Sequence, residues 1–249
     1  MEPHGPSLNE SVVDVGLNIA PPSVTAAPDD LLREYWASRW RQSLVDRYAG
    51  IPLVKLPEDL RVYEHIMWAM RPDLVIEIGT YGGGSALWFR DRLRTLEQYS
   101  RSRTLRIIAV DMDTRAAATA LKEVDPDFEK TIVLVEGDVC DASLPDRVRS
   151  LLPEGARCLV VDDSAHTYET TMAALRGFSQ FVPPGGFFVI EDGCVDVEEL
   201  RVDPDWPRGV LPALHEWLAS EPGQAFVVRR DLEAYGLSTN REGFLQRHS

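Results

Sequence analysis

The sequence predicts an α/β fold: a mostly parallel, seven-stranded sheet with helices on both faces and a helical extension at its N-terminal side. Three observations predict it. Short, wholly apolar runs of strand length recur from Leu74 onward, and patterns of helical period separate them. The first run leads directly into a glycine turn, Gly79-Thr-Tyr-Gly-Gly-Gly84, and then into a helical pattern. The chain has 249 residues, 44% of them hydrophobic and 27% charged, which suits one large soluble domain. Strands apolar along their whole length belong to a sheet covered on both faces, a Rossmann-like arrangement.

Each element has a local reason. Residues 1–28 carry Pro3, Pro6, Pro21, Pro22 and Pro28 among small residues and read as a flexible arm. Asp29 and Asp30 are cap candidates for a helix expected to run to about Tyr48, with Trp36, Trp40 and Leu44 on one face. A loop over 50–57 follows. Pro57, Glu58 and Asp59 suit the start of a second helix, expected to reach about Met70. Residues 29–71 thus form the extension, and 72–249 the Rossmann-like core, of a single domain.

In the core, strands are expected at Leu74–Ile78, Leu105–Val110, Ile132–Val135, Cys158–Val161 and Phe187–Ile190. Helices are expected at Ser85–Tyr99, Thr114–Val124, Leu144–Leu152 and Tyr168–Phe181. A helix at Leu211–Ala219 and two short strands, Ala225–Val228 and Phe244–Leu245, close the chain.

Composition excludes several functions. Lys plus Arg number 26 and Asp plus Glu 40, for a formal charge of −14. So acidic a chain repels phosphate backbones, which argues against nucleic-acid binding. No apolar run approaches the ~20 residues of a membrane helix. The N-terminal stretch has no basic region followed by an apolar one, so no secretory signal is expected. Three cysteines, Cys140, Cys158 and Cys194, do not make a disulfide framework. A cytoplasmic enzyme or small-molecule binder remains.

The glycine turn points to a nucleotide-like ligand. Gly79, Gly82, Gly83 and Gly84 permit positive φ and close approach of a ligand to the backbone, at the carboxyl end of a strand. The dinucleotide fingerprint needs glycine two residues after Gly79, where Tyr81 stands, so an NAD-type oxidoreductase is disfavoured. No Gly-Lys-Ser/Thr follows, so the turn is not a P-loop. The turn resembles the first motif of class I S-adenosylmethionine methyltransferases, acidic-x-Gly-x-x-x-Gly, read on Glu77, Gly79 and Gly83. Tyr81 and Ser85 resemble its catechol O-methyltransferase-like variant. The resemblance places Glu77 on the ammonium side of adenosylmethionine and the glycine backbone against its methionine part.

Asp111 ends the second strand, 32 residues after Gly79, where a carboxylate accepts ribose hydroxyls. Asp113 is its competitor, or a helix cap. Asp138, after the third strand, is a candidate for the adenine amino group or a turn residue.

Strand four ends in Asp162-Asp-Ser-Ala-His166, and strand five in Glu191-Asp192. Both ends face the same crevice. Asp163, Glu191 and Asp192 would repel one another there unless a hard divalent cation drew them together. Asp162 is an alternative ligand or a cofactor contact. His166, three residues past Asp163, is placed to take a proton from a substrate hydroxyl, or else to cap the next helix.

Glu77-Ile-Gly-Thr-Tyr-Gly-Gly-Gly-Ser85 with its continuation to Asp91, Asp162–His166 and Ile190–Asp192 together resemble the cephalosporin hydroxylase family. That family comprises adenosylmethionine- and magnesium-dependent methyltransferases of antibiotic biosynthesis. The chain is also similar to macrolide and rhamnosyl sugar O-methyltransferases. The resemblance spans roughly Lys55 to Arg247. It implies Mg²⁺ on Asp163, Glu191 and Asp192, and His166 as base. It makes Asp163 a catalytic residue as well as a ligand. A hydroxylated small molecule, a sugar or a glycosylated natural product, is the implied substrate, and self-association is implied too. The acid-rich stretch Glu191–Asp205 attracts a cationic substrate such as an aminosugar, or is a solvated loop. N-methylation of an aminosugar and a non-catalytic adenosylmethionine-binding protein are the alternatives.

Overall fold

The computed structural model describes residues 31–99 and 106–248. The expected arm over 1–28 and the Asp29/Asp30 cap lie outside the described residues. The first helix, α1 (Leu31–Ser43), is shorter than the expected run to Tyr48. A two-stranded hairpin, β1 (Arg47–Tyr48) and β2 (Ile51–Pro52), takes over where a loop was expected. Its two central residues, Ala49 and Gly50, have φ of 50° and 87°, the backbone hand that matches strand twist in a two-residue turn. Then α2 (Pro57–Met70) starts on Pro57 as expected and ends at Arg71, which adopts the left-handed conformation and returns its amide to Met67 O at 2.9 Å.

The core alternates strands and helices: β3 (Leu74–Ile78), α3 (Gly84–Glu97), β4 (Arg106–Asp111), α4 (Arg115–Val124), β5 (Ile132–Glu136), α5 (Leu144–Arg149), β6 (Cys158–Asp162), α6 (Tyr168–Phe178) and β7 (Phe187–Ile190). It closes with α7 (Val210–Leu218), β8 (Phe226–Val228) and β9 (Phe244–Arg247). The seven core strands form one sheet in the order β5-β4-β3-β6-β7-β9-β8. β3 to β7 run parallel, and β9 lies antiparallel to both β7 and β8.

Alternate strand residues feed two cores, one on each face. Ile76, Ile108, Val160 and Phe188 pack with Leu175, Phe178, Leu214 and Trp217 from α6 and α7. Val75, Ile107, Leu159 and Val189 pack with Ile66, Met67, Leu87 and Phe89 from α2 and α3. Burial on both faces is why these strands lack polar alternation.

The strand order reverses between β3 and β6. The chain leaves β3 toward β4 and β5 on one side, then returns to β6 and β7 on the other. At such a switch point the connections part and open a crevice beyond the carboxyl ends of the strands.

Candidate active site

A cleft of about 690 Å³ occupies this crevice. Ile78, Gly79 and Tyr81 line it from the turn after β3, Asp111 and Met112 from the end of β4, and Asp138 and Val139 from the turn after β5. Asp163, His166 and Asp192 close its far end. Arg47, Pro52 and Val54 show that the hairpin and the segment leaving it form one wall.

The glycine turn is built by contacts only glycine permits. A Cβ on Gly79 would lie 1.9 Å from the Asp163 carbonyl, and one on Gly84 would lie 2.0 Å from that of Pro52. Gly79 and Gly83 have φ of 86° and 85°. Gly83 caps α3 against Leu121 and does not face the cleft. Tyr81 is held at φ 47° by its own amide, which donates to Asp111 Oδ2 at 2.8 Å. Asp111 therefore joins the ends of β3 and β4, and it lines the cleft. Asp113 instead accepts from the Arg115 amide at the start of α4 and pairs with its guanidinium at 2.5 Å, and it does not line the cleft. Asp138 lines the cleft and accepts from the Cys140 amide at 2.8 Å, so it is both a turn residue and a cleft residue.

Glu77, Ser85 and Asp162 sit behind the cleft wall. Glu77 is fully buried; Thr80 Oγ1 donates to its Oε2 at 2.9 Å, and the Ser85 hydroxyl holds it as well. Its Oε1 has no partner. Burial pushes its pKa up to about 7, against Lys55, Ser85 and Thr80. Asp162 is likewise buried and pushed up to about 7, against the Ser164 hydroxyl, and its Oδ1 is unpartnered.

The acids at the ends of β6 and β7 split into two groups. Asp163, Asp192 and His166 each offer an atom within 4.8 Å of the others. His166 Nε2 is 3.2 Å from Asp192 Oδ2 and 3.8 Å from Asp163 Oδ1. Burial opposes charge on the imidazole, but Asp192 and Asp163 outweigh it and raise its pKa. Glu191 turns to the protein interior instead. Its Oε1 accepts from Lys55 Nζ at 2.7 Å and from the Tyr63 hydroxyl at 2.5 Å. Lys55 Nζ also reaches Asp163 Oδ2 at 2.9 Å. Burial disfavours the ammonium, yet Asp163 and Glu191 keep it charged. Of the expected trio, Asp163 and Asp192 come together with His166, whereas Glu191 lies outside that compact group and pairs with Lys55 and Tyr63.

The backbone enforces this cluster. His166 and Asp192 have φ of 56° and 57°, in the left-handed region. Non-glycine residues persist there only when their surroundings hold them. Behind Asp192, the amide of Cys194 donates to Thr239 O at 2.9 Å, and a Cβ on Gly193 would lie 2.2 Å from Arg241 O. Thr239 and Ser238 are themselves fastened to Asp59 of α2.

Beyond Asp192, the acid-rich stretch after β7 folds over itself rather than lining the cleft. Asp196 accepts from the amides of Gly209 and Leu211 at the start of α7, and Glu198 pairs with Arg208. Arg201 donates to the carbonyls of Val195, Pro204 and Trp206. Helix α1 packs on this stretch: Trp36 Nε1 donates to Leu200 O at 2.6 Å, and Trp40 meets Trp206 edge to face at 4.8 Å.

From the sequence, only fold analogy points Lys55 toward the site, and no signal marks Tyr63. Residues 108 and 136 apart form these pairs, and no local pattern announces them. The one available signal is a lone lysine between Leu53 and Leu56, both buried.

The model of the rhamnosyl O-methyltransferase/CmcI family matches residues 41–248. The chain belongs to that family. A rhamnosyl O-methyltransferase of Mycobacterium tuberculosis is 25% identical over 228 residues, 89% of this chain and 87% of the relative. That of Mycobacterium leprae is 25% identical over 203 residues, 80% of this chain and 82% of the relative. In fold, a solved CmcI structure with Mg and SAM superposes with a TM-score of 0.61 at 24% identity, covering 83% of this chain and 78% of that one. An O-methyltransferase from Bacillus cereus in complex with SAH superposes at 0.52 and 16% identity, covering 82% and 84%. The sheet order, with its single antiparallel strand, is the class I methyltransferase arrangement expected from the sequence.

Proposed function

We propose that this protein transfers a methyl group from S-adenosylmethionine to a hydroxyl of a sugar or glycosylated natural product, with a divalent cation, Mg²⁺, at the far end of the cleft. The observation that carries the reading is the convergence of Asp163, His166 and Asp192 at one end of a cleft floored by the glycine turn. Both groups fit the residues present. The cleft is apolar at Ile78, Val110 and Val139 and carries carboxylates at Asp111 and Asp138, a lining suited to a cationic nucleoside. Two carboxylates and an imidazole drawn within 4.8 Å form an oxygen-rich set suited to a hard cation.

Asp163 and Asp192 would hold the metal, with Glu191 as the third acid of the set. When bound, adenosylmethionine supplies an electrophilic methyl group, and the cation supplies positive charge that favours the deprotonated hydroxyl. Asp111 keeps the glycine turn in place, and its carboxylate would accept from the ribose hydroxyls. The glycine turn keeps side chains out of the space that the methionine part would take. His166 Nε2 receives the hydroxyl proton, and the carboxylates beside it stabilise the imidazolium that forms. Orientation of two bound reactants accounts for much of the expected rate.

The relatives' names favour oxygen over nitrogen as the acceptor and a deoxysugar as the substrate class. The test is a methyl-transfer assay over rhamnosyl and other hydroxylated sugars, and over aminosugars, with Mg²⁺ and with EDTA. Transfer to hydroxyls that stops on chelation is the expected result. Transfer confined to amines, or turnover indifferent to EDTA, overturns the reading.

A further inference from the structure

We infer that Lys55 is a resident counter-cation of the acidic centre, which permits the centre to exist without metal and limits how tightly it takes a divalent ion. The metal half of this inference rests on the function proposed above. The metal-free half rests on the fold alone.

Lys55 has 5% of its surface exposed, and its ammonium touches Asp163 at 2.9 Å and Glu191 at 2.7 Å. It is delivered from outside the Rossmann-like core. Its segment joins β2 to α2, and its buried neighbours Leu53 and Leu56 pin it against the sheet. Glu191 is 4% exposed, and apart from Lys55 only the neutral Tyr63 hydroxyl bonds its Oε1 among the described residues. A buried carboxylate stripped of its cation is strongly unfavourable.

Charge counting gives the consequence. With His166 neutral, the form in which it accepts a proton, Asp163, Glu191 and Asp192 together with Lys55 leave two negative charges, which one divalent cation neutralises. Without the lysine, three negative charges remain. The metal-free centre then repels itself, and a divalent ion becomes the means of holding it together. Ligand binding to the native state alone raises stability in proportion to that preference.

The experiment is thermal unfolding of the full chain in EDTA and in saturating Mg²⁺, with calorimetric Mg²⁺ titration. It compares wild type, Lys55→Met and the double variant Lys55→Met/Glu191→Gln. Lys55→Met is expected to lower the melting temperature far more in EDTA than in Mg²⁺, and to bind Mg²⁺ at least tenfold more tightly than wild type. The double variant restores the wild-type charge count, so it is expected to recover most of the melting temperature in EDTA. An equal loss in both media, or Mg²⁺ affinity unchanged or weakened, reduces Lys55 to a packing residue and overturns the inference. A double variant as unstable as the single one also overturns it, and this comparison decides the matter even if Lys55→Met does not fold in EDTA. A wild type with no response to Mg²⁺ would instead overturn the metal site of the proposed function, and the two variants in EDTA would still judge Lys55.

Discussion

The amide of Tyr81 donates to Asp111 Oδ2 at 2.8 Å, and with the amides of Gly79 and Thr80 on Val110 O this bond ties the glycine turn after β3 to the end of β4. It has a conformational task, because Tyr81 sits at φ 47° with 70% of its surface exposed, and no packing holds so bulky a residue there. Asp111 thus shapes the cofactor cleft as well as lining it. We predict that Asp111→Ala weakens adenosylmethionine binding about 10- to 100-fold, the loss of a charged hydrogen bond or two. Calorimetric titration measures this. The fold changes little, because Asp111 lies at the cleft surface. Wild-type affinity in the variant would remove Asp111 from the cofactor site.

His166 is predicted to act in the chemical step. His166→Ala should lower kcat by about 10²- to 10⁴-fold, the usual contribution of a positioned proton acceptor, with adenosylmethionine affinity within about twofold of wild type. Steady-state rates and a binding titration on the same preparation separate the two effects. A near-normal kcat would leave His166 with a capping role at the start of α6.

Much of this site was legible before the structure, and the reason is local. Glu77–Ser85, Asp162–His166 and Glu191–Asp192 are short segments at strand ends, and alternating strands and helices place such ends at one crevice whatever the details. The β1–β2 hairpin was not legible: Ala-Gly is a weak turn signal, and Pro52 reads as a loop residue within its second strand. The partition of the acids was not legible either. Glu77, Asp111, Asp162 and Asp163 all stand at or next to the carboxyl ends of strands, yet burial separates Glu77 and Asp162 from the two that face the cleft. Glu77 falls on the Val75 face of the sheet, covered by α2 and α3, and Asp162 on the Val160 face, covered by α6 and α7, so their burial depends on helices packed from elsewhere in the chain.

Helix α1 is predicted to stabilise the stretch beside the acidic centre. Trp36 is 3% exposed, and its indole N–H donates to Leu200 O. Trp36→Phe keeps most of the buried area and should cost about 1–3 kcal/mol, because the Leu200 carbonyl loses its partner. Trp36→Ala should cost about 3–5 kcal/mol. Urea unfolding gives both values. Limited trypsin digestion locates them: cleavage after Arg201 and Arg208 should speed up in the order wild type, Phe, Ala. Equal cleavage rates in all three proteins would show that α1 does not restrain this stretch.

Asp59 gives the fold a predictable pH dependence. It is 2% exposed and accepts from Ser238 Oγ at 2.6 Å and from the Thr239 amide at 3.0 Å. Burial nevertheless dominates these bonds and pushes its pKa from 3.8 up to about 7. A carboxyl with a higher pKa in the folded state binds more protons folded than unfolded, so its contribution falls as pH rises. It is fully favourable below about pH 4 and is lost progressively up to about pH 7. At about 1.4 kcal/mol per pKa unit, ionising Asp59 costs on the order of 4 kcal/mol. Glu77 and Asp162, also pushed up to about 7, act in the same direction. Urea midpoints measured in EDTA should therefore fall between pH 5 and pH 8. Asp59→Asn, which cannot ionise, should retain a smaller fall from the other two acids. Parallel pH profiles for wild type and Asp59→Asn would mean that Asp59 keeps an ordinary pKa and that its hydrogen bonds, rather than its burial, decide its charge.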